Sequence, residues 1–369
     1  MNDQRGFTLI ELMVSLLVSS LLVILLLGIL GRMSFAFHEK QQLTSLQQVL
    51  AGTRRALELD AKQAGYRLAQ GFTIAADGAG PGAVKHAPVR IRNSSTGPDE
   101  IAFFYADGNR DALVRSTGAA TTITVDAADG FSVGDLVVLS TVDTNTMFNP
   151  ISPTLDAKIA TYSACVVKIA GINGTEITFD ETGDWGRTGN SHCASTTADV
   201  TRMLGFVAHA WRIDPERPAD GVLQLDETGH LLATSGFEDY ATGLTDLQVA
   251  TYFYDGDGTD TDDPGDDGDR DWCSGADQDT LTADISTGDS FVAPLVMSIS
   301  VVARTTDEVE GIASASTPDL TDAANTDHNT IGDRAAVTLP SATDPALAGN
   351  HIYRYTTFAV DLRNLGVGR

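Results

Sequence analysis

A run of apolar residues close to the N-terminus limits what this chain can become. From Leu12 to Leu30 only Ser15, Ser19, Ser20 and Gly28 break the hydrocarbon, and between Arg5 and Arg32 the one ionisable side chain is Glu11. As a helix rising about 1.5 Å per residue, such a run spans the roughly 30 Å of a bilayer interior. A cleaved secretory signal fits poorly, because its apolar region is shorter and ends at a small-residue cleavage site. Here helical character continues beyond the run. A plain membrane anchor leaves Glu11 without a reason, since a carboxylate among apolar side chains costs several kcal/mol without a partner.

At these residues the chain resembles a type IV prepilin. Gly6, Phe7, Thr8, Leu9, Ile10, Glu11 and Leu12 stand in the order of that family's signature, a short leader ending in glycine followed by phenylalanine and an apolar helix. The resemblance implies cleavage between Gly6 and Phe7 by a prepilin peptidase on the cytoplasmic side, then methylation of the new Phe7 amine. It also implies that Glu11 faces the Phe7 amine of a neighbouring subunit once the helix moves from lipid into a filament. A charge pair buried among apolar helices is better suited to fixing register than to adding stability. Where many major pilins have a helix-loosening proline, this chain has Gly28 and then Gly31, and glycine weakens a helix by about 1 kcal/mol against alanine.

Past Arg32 the period changes. Leu43, Leu46, Leu50, Leu57, Ala61, Ala64 and Leu68 recur at helical spacing with charged and amide residues between them, as an amphipathic helix requires. Gly65 and Gly71 read as its stop. The expected organisation is a leader over 1–6, a helix over 7–68 with its membrane span at 7–30, and a head over 69–369. In the head, short β-branched and aromatic runs alternate with Gly, Pro, Asn and Asp. Strands are expected at Val89–Arg92, Glu100–Tyr105, Thr121–Val125, Leu136–Ser140, Ala164–Ala170, Thr175–Phe179, Thr201–Ile213, Gly221–Leu225, Leu231–Thr234, Leu247–Tyr254, Ala293–Arg304 and Tyr353–Leu362. The last two are long enough to be central. Thr305–Asn350 lacks periodicity and reads as a surface excursion. The fold class is α+β, a long N-terminal helix followed by a large β-rich head.

Later segments narrow the resemblance. Ala64-Gly65-Tyr66, L-T-D-L-Q-V-A-T-Y-F-Y-D-G-D-G from Leu244 to Gly258, S-I-S-V-V-A-R-T from Ser298 to Thr305, and Y-R-Y-T-T-F-A-V-D-L-R-N-L from Tyr353 to Leu365 together resemble the PilW family of minor pilins. That resemblance implies an inner-membrane precursor with its head outside the cytoplasm, which joins other major and minor pilins through its helix and then reaches the cell surface. With the head's size, it places the subunit at or near a pilus tip, in assembly priming, adhesion or motility. A type II secretion pseudopilin shares the leader, Glu11 and the helix. A membrane-anchored, calcium-dependent adhesin that never polymerises is the alternative of another class.

Asp255–Asp271 holds nine aspartates and one cation, Arg270. Alternating Asp and Gly can wrap oxygens around a hard cation, for which calcium is the natural ion. Asp255, Asp257, Asp260, Asp262 and Asp263 are the expected ligands, and a solvated acidic loop is the blander reading. The spacing is not that of an EF-hand. No other cofactor is expected.

The three cysteines, Cys165, Cys193 and Cys273, follow the membrane helix on its outer side, where an oxidising compartment favours one disulfide and one spare thiol. Cys165 and Cys193, which bracket a strand-rich stretch, are the expected pair. With 50 acidic against 24 basic residues and a net charge of −26, the chain lacks the broad basic face that nucleic acid requires. Scattered His192, His209 and His351, with no G-x-S-x-G, H-E-x-x-H or phosphate-loop motif, give catalysis nothing to rest on.

Overall fold

The structure is a computed structural model that describes residues 9–68, 72–74, 84–94, 97–117, 122–140, 164–180, 200–227, 236–253, 271–273, 285–286, 296–305 and 351–362. Helix α1, Leu9–Gln63, is continuous over 55 residues, about 80 Å at the usual rise. It contains no proline, and Glu11 in its first turn and Lys62 in its last both oppose the helix macrodipole. Ser15 and Ser20 donate their hydroxyls to Leu12 O and Leu17 O, so neither is an unpaired polar group within the apolar run.

The helix ends at Gln63, short of the expected Leu68. Gly65 takes a φ of 75° and Arg67 one of 63°, a left-handed conformation that closes a helix. The Gly65 N–H donates to Phe104 O, and the Ala106 N–H donates to Tyr66 O. The departing chain is thereby sewn onto a strand of the head.

That head is built from β1 (Phe72–Ile74), β2 (Val84–Lys85), β3 (Val89–Arg92), β4 (Glu100–Thr117), β5 (Thr122–Val125), β6 (Leu136–Ser140), β7 (Ala164–Asn173), β8 (Glu176–Asp180), β9 (Arg202–Ile213), β10 (Val222–Asp226), β11 (Glu238–Thr242), β12 (Leu244–Phe253), β13 (Asp271–Cys273), β14 (Ile285–Ser286), β15 (Val296–Arg304) and β16 (Tyr353–Asp361). Most expected strands are present within a few residues; Leu231–Thr234 and nearly all of Thr305–Asn350 lie outside the described residues. The largest sheet has ten strands and is organised on the long antiparallel pair β4 and β9. One half of this pair continues outward to β3 on one side and to β10 and β11 on the other.

The other half closes on itself. β4 pairs with β5, β5 with β8, β8 with β7, β7 with β6, β6 with β9, and β9 with β4 again, all antiparallel. This ring is a small barrel, and every strand in it sends side chains to one core: Ala112, Ile123, Val137, Val167, Ile177 and Met203 among them. Closure removes the exposed edges that an open sheet would present.

A register shift between Asp107 and Asp111 marks where β4 turns from flat sheet into barrel. Arg110 holds the irregularity, reaching Asp107 at 3.1 Å and Asp135 at 3.2 Å while lying across Gly205, where an added Cβ would sit 2.6 Å from its Nε.

The smaller sheet runs β13-β12-β15-β16. β15 is internal and buried along nearly its whole length, as expected of a central strand, whereas β16 is the last strand of the described sheet. The expectation that both are central holds for β15 alone. The half-polar alternation of β16, with exposed Arg354 and Tyr355, is the composition of a margin.

Helix α1 lies on β16, β15 and β4, so one apolar core joins the two sheets through Leu46, Leu50 and Leu57 of the helix. Asp99, 1% exposed, links the sheets independently: its N–H donates to Leu247 O at 2.7 Å, and its carboxylate accepts the Val249 N–H at 2.8 Å and the Ser94 N–H at 2.9 Å.

Gly221, at the entry to β10, makes a further seam. It has a φ of 61°, and its carbonyl accepts the Leu244 N–H at 2.8 Å. A Cβ added there would lie 2.8 Å from Leu244 O, with backbone rather than a flexible side chain in the way. Gly221→Ala is expected to destabilise the head by about 2 kcal/mol. Gly134→Ala, at φ 98° with nothing within 4 Å, carries the backbone strain alone and should cost less. Thermal unfolding of both variants in detergent checks the order; equal midpoints would remove the steric argument.

Candidate functional site: an apolar rod and the carboxylate that fastens it

Among the described residues the first half of α1 is left exposed by the head. From Leu9 to Phe37 its large apolar side chains are half or more exposed, Leu9 at 81% and Phe37 at 66%. Among the described residues this is the one helix long and apolar enough, by length and composition, to cross a membrane. Leaving so much apolar surface in water is unfavourable by about 25 cal/mol per Å², so lipid or other apolar helices must cover it. Glu11 lies in the first helical turn. Gly6 and Phe7 lie outside the described residues; in sequence Phe7 is four positions before Glu11. The helix passes unbroken through Gly28 and Gly31, both with open space where a Cβ would go.

The second half carries a buried stripe: Leu46, Leu50, Thr53, Leu57, Asp60 and Ala61. Asp60 is the unexpected member. Its side chain is 6% exposed, and three groups of the head converge on it. Trp211 Nε1 donates to Oδ2 at 2.8 Å, the Tyr105 hydroxyl donates to Oδ1 at 3.1 Å, and His209 Nδ1 stands 3.0 Å from both oxygens. Tyr105 comes from β4, and His209 and Trp211 come from one face of β9, so the carboxylate pins the helix to the central strand pair. Tyr240 of β11 closes edge-on over the Trp211 ring at 4.8 Å between centroids.

The electrostatics follow from burial and chiefly from this carboxylate. Burial and then the Asp60 carboxylate push the Tyr105 hydroxyl far above its ordinary range, so it stays a donor. For His209, burial opposes the imidazolium, but the hydrogen bond and charge of Asp60, helped by the charge of Glu227, outweigh it. The group titrates above its ordinary value. Sequence reading placed Leu57, Ala61 and Ala64 on the buried stripe and passed over Asp60, which is in phase with all three. That phase was the available signal, since an acid on an apolar face needs a partner.

Of the other expected residues, Asp255, Asp257, Asp260, Asp262 and Asp263 lie outside the described residues. Among the described residues no cluster of three His, Cys, Asp or Glu side chains is placed to hold a metal ion. Cys165, on β7, is disulfide-bonded and 2% exposed, its side chain in the barrel core. Cys193, proposed as its partner, lies outside the described residues.

A half-exposed apolar rod carrying an acid near its tip, fastened along its second half to a β-rich head, is the architecture of a type IV pilin-like protein. Residues 1–27 match the family model described as the prokaryotic N-terminal methylation motif, which implies processing by a prepilin peptidase and an assembly context among pilins. Among solved structures the chain is similar to a type IV-like pilin from Thermus thermophilus. Identity is 11% and the TM-score 0.39, over 87% of this chain and 97% of that one. No curated protein matches the sequence.

Proposed function

We propose that this chain is a minor type IV pilin of the PilW kind, held in the inner membrane by the first half of α1 until it is cleaved after Gly6, methylated on Phe7 and taken into a filament. The observation that carries this reading is the rod itself. A prepilin-type N-terminus leads into apolar surface that the head leaves uncovered, which suits a segment that exchanges lipid for neighbouring helices of the same kind. The head supports a place at or near the tip, where assembly begins and surfaces are met, because its barrel and second sheet add bulk that a repeating shaft subunit would have to accommodate at every step.

The test is mass spectrometry of the native N-terminus, with piliation of a strain lacking the gene. A mature chain that begins at N-methylated Phe7, and a strain with few or no pili, are the expected results. A product that still begins at Met1 overturns the reading. Loss of protein secretion with normal piliation would move the chain to a secretion pseudopilus, and surface exposure that survives deletion of the assembly motor would make it a non-polymerising adhesin.

A further inference from the structure

The joint between rod and head contains an ionisable imidazole, that of His209. His209 sits at the rim of the Asp60 site, with its side chain 23% exposed, so water can deliver or remove a proton while Nδ1 stays against the carboxylate. Three neighbouring segments contribute a group that responds to its charge. α1 contributes Asp60, and β4 contributes the Tyr105 hydroxyl, 3.5 Å from Nδ1, with the Tyr105 ring edge-on at 5.9 Å. The chain leaving β10 contributes the charge of Glu227. On β9 itself, Trp211 shares Asp60 and carries no charge.

We propose that His209 is a proton-operated latch on the joint between helix and head: protonated, it completes an ion pair with Asp60 and holds α1 against β4 and β9, and deprotonated, it leaves Asp60 as a buried carboxylate held only by neutral donors. The geometry gives the proton this leverage because Asp60 is the charged residue of the helix stripe, and the three side chains that reach it all come from the strand pair on which the larger sheet is built.

The direction is set by the folded value lying above the unfolded one. The contribution is complete below the unfolded value of about 6.5 and is lost as pH rises through the folded value. The joint is therefore tighter in acid and looser in alkali, the reverse of the usual dependence on a paired carboxylate.

The experiment uses the full chain in detergent. Hydrogen exchange of the α1 amides from Asp60 to Gln63, corrected for intrinsic rates, is followed with pH, alongside the imidazole resonances of His209. In the wild type, protection is expected to fall as pH rises from about 6.5 through the folded value of His209, on the order of tenfold for each pH unit that separates the two. H209Q keeps a polar group of similar reach and should abolish that dependence, while D60N should bring the His209 titration back toward its ordinary value. Equal pH dependence in wild type and H209Q overturns the proposal, as does a wild-type His209 that titrates at or below about 6.5. The second readout needs no variant to fold.

Discussion

Asp60→Ala is expected to remove about 3 kcal/mol from the stability of the full chain, measured by thermal unfolding in detergent with the Trp211 environment as the probe. The size follows from what is left behind. Truncation strands the Trp211 indole N–H and the Tyr105 hydroxyl, both buried donors whose acceptor was this carboxylate. Burying a donor without an acceptor costs about 1–3 kcal/mol, which is more than making the bond gains. Asp60→Asn keeps one acceptor oxygen at nearly the same volume and should lose less than half as much. Leu57→Ala, one turn earlier and fully buried, tests ordinary packing with an expected cost of about 3 kcal/mol.

The two losses differ in kind. Leu57→Ala should weaken the joint equally at all pH values, whereas Asp60→Ala should also erase the difference between acid and alkaline conditions. If Asp60→Ala unfolds at the wild-type temperature, the carboxylate is not a fastening. The head must then be held to the helix by its apolar core and by the backbone hydrogen bonds at Gly65 and Ala106.

Much of the fold was legible because it depends on local pattern. The apolar run and the three-and-four spacing that follows it describe one helix in two environments, and strands such as Val89–Arg92 and Leu136–Ser140 were read to their observed ends. Closure of the barrel was not legible. It depends on β4 and β9 pairing across about a hundred intervening residues, and on a strand that passes through Asp107-Gly108-Asn109, a tripeptide with every local mark of a turn. Arg110 and its two aspartates keep β4 going where the local sequence would end it. The Asp60 site failed to show for a related reason. Each partner is unremarkable alone, and only the pairing of β4 with β9 brings Tyr105, His209 and Trp211 under one helical turn.

Glu11→Ala is expected to separate two properties that the rod combines. Removing the acid makes the apolar run easier to keep in lipid, by about 2.5–3.5 kcal/mol if the carboxylate sits at depth. Cleavage after Gly6 and retention in the membrane should therefore persist or improve. If Glu11 meets the Phe7 amine of a neighbouring subunit in the filament, as the prepilin resemblance implies, incorporation should fall on the order of tenfold or more, because that buried pair favours the assembled bundle over lipid and alanine leaves the amine unmatched among apolar helices. Glu11→Gln preserves size and hydrogen bonding and removes the charge. It should behave like alanine if the charge sets register, and like wild type if shape does. The measurement is the ratio of this subunit in sheared filaments to that in the membrane fraction, each normalised to total protein. An alanine variant recovered from filaments at the wild-type ratio would show that the acid has no part in assembly, and the exposed helix would then have to be explained as an anchor whose apolar surface lipid alone covers.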